Sequence, residues 1–140
     1  MLSLTIKNNV ADLAALEPFV EQICEEFSLD MTIAFNLQLV LDEAVSNVIN
    51  YAYGDATDMP ISIQADVVAT DNGRQIVIEI ADKGMPFNPI EEAPEVDTTL
   101  SAEERQIGGL GIFLIRQTMD ELRYDRRQDT NIFTIIKNIE

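Results

Sequence analysis

Residues 60–81 constrain the fold more than any other part of this chain. Ile61-Ser62-Ile63-Gln64-Ala65-Asp66-Val67-Val68 and Gln75-Ile76-Val77-Ile78-Glu79-Ile80-Ala81 are strand-forming runs, the second alternating cleanly. Between them Asp71-Asn72-Gly73-Arg74 carries the residue types of a tight reversal. Two such runs joined so closely make a hairpin, and a hairpin commits the sheet to antiparallel pairing. Residues 2–7 alternate and read as an opening strand. Two more strands, 122–126 and 132–137, close the chain around a polar turn at Gln128-Asp129-Thr130.

Helical periodicity fills the rest. Asp12 reads as the cap of a helix to about residue 27, with Leu13, Leu16, Val20, Ile23 and Phe27 on one face. Asp30 and Thr32 start a second helix that ends near Tyr53-Gly54, where the glycine offers a C-cap. Gly108-Gly109 opens a third, with Leu110, Phe113, Leu114 and Met119 toward the core, ending near Asp120. Residues 88–107 hold Pro89, Pro94, five glutamates and Asp97 without apolar periodicity. Roughly twenty such residues inside a compact domain suit a lid or a binding loop. Helices before and between antiparallel-type strands predict an α+β two-layer sandwich in one domain, residues 1–140.

Composition narrows the function. The 140 residues are 46% hydrophobic, enough for a core without staples, and no apolar run reaches the length of a membrane span. The N-terminus has no basic flank followed by an apolar stretch, so it is not read as a signal peptide. One cysteine, Cys24, suits a reducing cytoplasm and reads as a small buried hydrophobe beside Val20 and Ile23. Nine basic residues against 25 acidic ones give a net charge of −16, the wrong field for nucleic acid or an anionic membrane. The absence of histidine removes imidazole bases, histidine-containing metal sites and phosphorylation on a histidine of this chain.

Three short segments carry the candidate chemistry. In the second helix Glu43 and Asn47, four apart, share a face beside the apolar Leu37, Val40, Ala44 and Val48, and Asn50 extends their stripe. A carboxylate there loses hydration unless a hydrogen bond, metal or ligand compensates. Alone, the pair also fits a helix turned to water. Asp82-Lys83-Gly84-Met85-Pro86-Phe87 leaves a hydrophobic strand. Its carboxylate suits an amino group in a pocket, and Gly84 permits close approach of a ligand to the backbone; an ordinary Asp-x-Gly turn reads the same way. Gly108-Gly109-Leu110-Gly111-Ile112 enters a helix whose exposed amides favour an anion such as phosphate. It is neither a Walker loop nor a Rossmann fingerprint.

In order, these segments resemble the N, G1 and G2 boxes of the Bergerat-fold (GHKL) ATPases, and more closely the small anti-sigma factor serine kinases of bacteria. The stretches concerned are Leu41-Asp42-Glu43-Ala44-Val45-Ser46-Asn47, Asp82-Lys83-Gly84-Met85-Pro86-Phe87-Asn88-Pro89 and Gly108-Gly109-Leu110-Gly111-Ile112-Phe113-Leu114-Ile115, followed by Met119-Asp120-Glu121-Leu122-Arg123-Tyr124 and Asn131-Ile132-Phe133-Thr134-Ile135-Ile136-Lys137. The resemblance implies a Bergerat fold with a mixed, largely antiparallel sheet and an ATP lid at about 88–107. It implies ATP and Mg²⁺ as cofactors, with Asn47 on the metal and Glu43 as the catalytic group that orients or deprotonates an attacking hydroxyl. Asp82 would accept from the adenine amine beside Gly84, while Gly108, Gly109 and Gly111 cradle the phosphates. Asn50, Phe87, Leu110, Ile112 and Thr134 join the nucleotide site by the same resemblance. Arg105 is the choice for a phosphate-facing cation in so acidic a chain. Departures are Tyr51 where the family has a histidine, Ala52 where a glycine is frequent, and Thr130-Asn131-Ile132-Phe133 in place of Gly-Thr-x-Phe.

The function implied is an ATP-dependent protein-serine kinase, generally a homodimer. It holds a sigma factor in one state and phosphorylates a serine on a STAS-type antagonist. An ATP-gated binding module that switches a partner without phosphorylating it is the alternative from another class. The catalytic half of a histidine kinase is a third, for which the chain supplies no phospho-acceptor segment.

Overall fold

The computed structural model describes residues 1–92 and 107–139, with the backbone alone for 91, 92 and 107–111. Five strands form one sheet: β1 (Leu2–Lys7), β2 (Pro60–Thr70), β3 (Gly73–Asp82), β4 (Glu121–Arg127) and β5 (Thr130–Asn138), in the spatial order β1-β2-β3-β5-β4. All four pairings are antiparallel, so the largely antiparallel sheet is antiparallel at every described ladder. The hairpin forms as its sequence demands, with Thr70 opposite Gly73.

The helices cover one face. They are α1 (Leu16–Phe27), α2 (Met31–Asn47), a single turn α3 (Pro89–Glu92) and α4 (Ile107–Thr118). Asp30 caps α2, its Oδ1 accepting from the Ile33 amide at 2.9 Å. Leu37, Val40, Leu41, Ala44 and Val45 then fall on one buried stripe. α1 ends where Ser28 turns left-handed at φ 57° and the Leu29 amide returns to the Cys24 carbonyl. Leu16, Ile23, Leu37, Leu41 and Ile115 from the helices meet Ile63, Ile78, Ile80, Phe133 and Ile135 from the sheet in one core.

Two local expectations change. Asn9, not Asp12, accepts the capping hydrogen bond, and the segment Val10–Ala15 is a 3-10 turn preceding α1. The Asp12 carboxylate instead takes the Lys7 amide at 2.8 Å, which points outward from β1, an edge strand of the sheet. The core stripe is Ile112 and Ile115 of α4 and Met119 just after it, while Phe113 is exposed. A helix starting at Ile107 turns Phe113 to the outside once Ile112 and Ile115 are buried.

Pairing register aligns side chains across the sheet. On the helix-facing side, Ile6, Ile61, Asp82, Asn131 and Arg126 form one row across all five strands. The next row is Leu4, Ile63, Ile80, Phe133 and Tyr124. The core therefore gives way to a polar row at one end of the sheet, where β3 finishes and β5 begins.

Candidate nucleotide site

On α2, Glu43 is half-buried and Asn47 is buried at 4% exposure, one turn apart as their spacing requires. Burial pushes the Glu43 carboxyl above the ordinary carboxylate range, and the neighbouring Asp42 charge adds to the rise. Asp42 is itself held by Gln38, whose Nε2 donates to Oδ1 at 3.0 Å. Asn47 Nδ2 is closed off from solvent and has no hydrogen-bond partner. Such an atom is costly unless a ligand uses it.

That orphan tests the implied metal. An amide exchanges its oxygen and nitrogen by a half-turn, so either can face the open position. A hard oxygen beside a half-buried carboxylate fits Mg²⁺, which takes one or two protein ligands and completes its shell with phosphate and water. No group of three or more acidic, cysteine or histidine side chains is gathered among the described residues, so the protein alone builds no cage. The residues present fit a nucleotide-borne Mg²⁺.

After Asn47 the helix widens into a π-helical segment, Val48–Ala52. An i→i+5 turn advances less per residue than an α-turn, so Asn50 falls off the Glu43/Asn47 stripe and is exposed. The expectation that Asn50 shares that stripe is corrected accordingly. The same segment places the Tyr51 ring against Phe87, with centroids 5.4 Å apart and planes inclined by 23°. Phe87 is half-buried in that stack.

Asp82 ends β3 at 5% exposure. Its Oδ1 accepts from Asn131 Nδ2 and from the Gly84 amide, each at 2.9 Å. Burial raises this carboxyl, while the Asn131 and Gly84 hydrogen bonds and the Arg126 charge oppose the rise. Gly84 has a reason other than ligand approach. A Cβ built there would stand 2.4 Å from the Ala52 carbonyl oxygen, and the Met85 amide donates to that oxygen at 2.7 Å. Tyr53, buried, donates its hydroxyl to the Pro60 carbonyl at 2.5 Å and accepts from the Lys83 amide at 2.8 Å.

Gly108, Gly109, Leu110 and Gly111 lie in the first turn of α4, which packs alongside α2. The first amides of a helix lack internal acceptors, so this end can receive phosphate oxygens. Ile112 is buried in the core, leaving only its backbone for a ligand. Arg105 and positions 93–106 of the expected lid lie outside the described residues. Thr134 is a correction. Asn131, Phe133 and Ile135 face the helices, and strand alternation turns Thr134 to the opposite side of the sheet, beside Glu79 and Arg123.

Beside Asp82 the structure also places a polar residue that the sequence motifs do not single out, Asn131, at 3% exposure, hydrogen-bonded to Tyr124 and Arg126. The signal was present. Asn131 keeps step with the apolar Phe133 and Ile135 inside an alternating strand, and a polar residue at an inward position needs a partner.

Residues 6–137 match the family model of the histidine kinase-like ATPase domain. The chain is 32% identical over 101 residues to the serine/threonine-protein kinase BtrW of Bordetella bronchiseptica, covering 72% of this chain and 68% of that one. It is 28% identical over 127 residues to the anti-sigma F factor of Clostridium beijerinckii, covering 91% and 78%. A third of the solved chain holding the RsbU and RsbW domains of Rv1364c from Mycobacterium tuberculosis shares its fold, with a TM-score of 0.60 and 12% identity over 99% of this chain and 33% of that one.

Proposed function

The chain belongs to the histidine kinase-like ATPase domain family, and from that membership we propose that it binds MgATP and works as a protein-serine kinase and anti-sigma factor. Its substrate is a serine on a small antagonist of the STAS type, and its other partner is a sigma factor, held by a homodimer of this chain. The observation that carries the reading is the buried, unpartnered amide of Asn47 one turn from the half-buried Glu43. The names of its relatives, a serine/threonine-protein kinase and an anti-sigma F factor, support it. The net charge of −16 favours a basic partner surface. No described helix is long and apolar enough to cross a membrane.

Each group has a task. Asp82 receives the adenine amine at the sheet end, and the α4 amides receive phosphate oxygens. Asn47 holds Mg²⁺, which supplies charge neutralisation at the phosphates when bound. Glu43 accepts the proton of the substrate serine as its oxygen bonds to the γ-phosphorus. The bond from that phosphorus to the β-phosphate bridging oxygen breaks, and ADP leaves with the electron pair. A base with a raised proton affinity suits this work near neutral pH.

The test is transfer of radiolabel from ATP to a co-purified antagonist, with the wild type and Glu43→Gln. The wild type labels a serine, whereas the variant binds ATP and transfers at least a hundredfold more slowly, the scale of losing a general base. An unchanged rate in Glu43→Gln removes Glu43 from the reaction. ATP binding by the wild type with no transfer identifies a nucleotide-gated partner switch.

A further inference from the structure

The sheet end holds more than one acceptor. Asp82 Oδ1 is filled by Asn131 and the Gly84 amide, while its second carboxylate oxygen has no hydrogen bond among the described residues. Asn131 itself has nothing to spare. Its Nδ2 donates to Asp82 Oδ1 and to the Met85 carbonyl at 2.8 Å. Its Oδ1 accepts from the Tyr124 hydroxyl at 2.5 Å, Arg126 Nη1 at 3.1 Å and the Phe87 amide at 3.3 Å. These partners fix the amide in one orientation, because a flip would set its NH₂ against the guanidinium and its oxygen against two acceptors. An amide engaged at both ends has no capacity for a ligand and can act only on what it holds. Arg126 Nη1 also reaches the Gly84 carbonyl at 2.8 Å, so one guanidinium steadies both Asn131 and the loop after β3.

We infer that Asn131, braced by Tyr124 and Arg126, is a specificity-determining positioning residue: it holds Asp82 with one oxygen free, and so selects a purine that carries an exocyclic amine. The inference rests on the reading of Asp82 as the acceptor for the base. A threonine in place of Asn131 would offer one hydroxyl donor and two lone pairs. It could not make the five contacts of Asn131. The charged and titratable groups around Asp82 are Arg126 on β4, the Tyr53 phenol beyond α2 and the adjacent, exposed Lys83. Of these Arg126 favours the carboxylate, as do the Asn131 and Gly84 hydrogen bonds. Their loss drives Asp82 toward the protonated form, which cannot accept from an amine at the protonated oxygen.

The experiment measures equilibrium binding of ATP and of purine riboside triphosphate, which lacks the 6-amino group, to the full chain. Wild type prefers ATP by about tenfold, one buried hydrogen bond. Asn131→Leu, of similar volume, weakens ATP to the level of the analogue and leaves the analogue unchanged. Arg126→Met, which retains the Asn131 side chain but removes its guanidinium brace, is the second variant should Asn131→Leu fail to fold. It reduces the preference for ATP, and the reduction deepens as pH is lowered from neutral. Equal weakening of both nucleotides, or an undiminished preference in both variants, overturns the inference while leaving ATP binding intact. A wild type that binds ATP without preference overturns Asp82 as the acceptor, and one that binds neither nucleotide overturns the ATP-dependent function.

Discussion

Gly84→Ala separates two reasons for a glycine beside Asp82. If the glycine serves ligand approach, the substitution weakens ATP binding and leaves stability alone. The structure says otherwise. The new Cβ would meet the Ala52 carbonyl oxygen at 2.4 Å and its carbon at 2.6 Å, where ordinary contact begins at 3.4 Å. Both are backbone atoms at the end of the π-helical segment, which cannot rotate away, so a gap of about 1 Å must open between that segment and the loop. Opening it breaks the 2.7 Å bond from the Met85 amide to the same oxygen. Overpacking costs about 1–3 kcal/mol and a lost hydrogen bond about 1 kcal/mol more, on the order of 2–4 kcal/mol together. At this chain length that lowers Tm by roughly 6–12 °C. Thermal unfolding followed by circular dichroism, without nucleotide, reads it directly. Ala52→Gly does not rescue the variant, because it removes only the Cβ neighbour at 3.0 Å and leaves both backbone contacts. An unchanged Tm in Gly84→Ala, or full rescue by Ala52→Gly, refutes the packing argument.

Asp82→Asn weakens ATP binding, yet it raises stability at neutral pH. Burial raises the folded-state carboxyl above its unfolded value, so the ionised folded form is disfavoured above that raised value; the gain of the variant, read by urea unfolding, disappears as pH falls below both values. Tyr53→Phe leaves the Pro60 carbonyl and the Lys83 amide without their partner and costs about 1–3 kcal/mol, seen as a lower urea midpoint at unchanged slope. For transfer itself, the wild-type rate rises with pH through the raised Glu43 value, and the residual Glu43→Gln rate lacks that rise.

Local periodicity encodes what is legible in the sequence. The hairpin about Asp71–Arg74, the Asp30 cap and the Glu43/Asn47 spacing depend on neighbours within a few residues, and each appears as read. The errors have nonlocal causes. Asn50 continues the stripe only along an ideal α-helix, but the turn widens at Val48, and Ala52 and Tyr53 are the residues drawn inward. Thr134 rests on a likeness alone, whereas strand parity excludes it from the face of Phe133 and Ile135. Asn131 can be found by that same parity. Its partners cannot, since Tyr124, Arg126, Met85 and Asp82 meet only once β5 lies between β3 and β4.

The two ends of the candidate site are therefore built differently. The loop after Asp82 is tied to the helix side by Met85 on Ala52 and by Lys83 on Tyr53, and to the sheet side by Asn131 and Arg126. If Asp82 accepts the base as proposed, an acceptor held on both sides is preorganised, and a preorganised acceptor discriminates because it cannot adjust to a poorer donor pattern. The end proposed for the phosphates is, among the described residues, the backbone of the first turn of α4, where the sequence places Gly108, Gly109 and Gly111. On the proposed function, choice of nucleotide would belong to the sheet end and the rate of transfer to Glu43 and Asn47 on α2. Substitutions at Asn131 and at Glu43 should then be separable, the first moving affinity ratios between nucleotides and the second moving turnover at constant affinity.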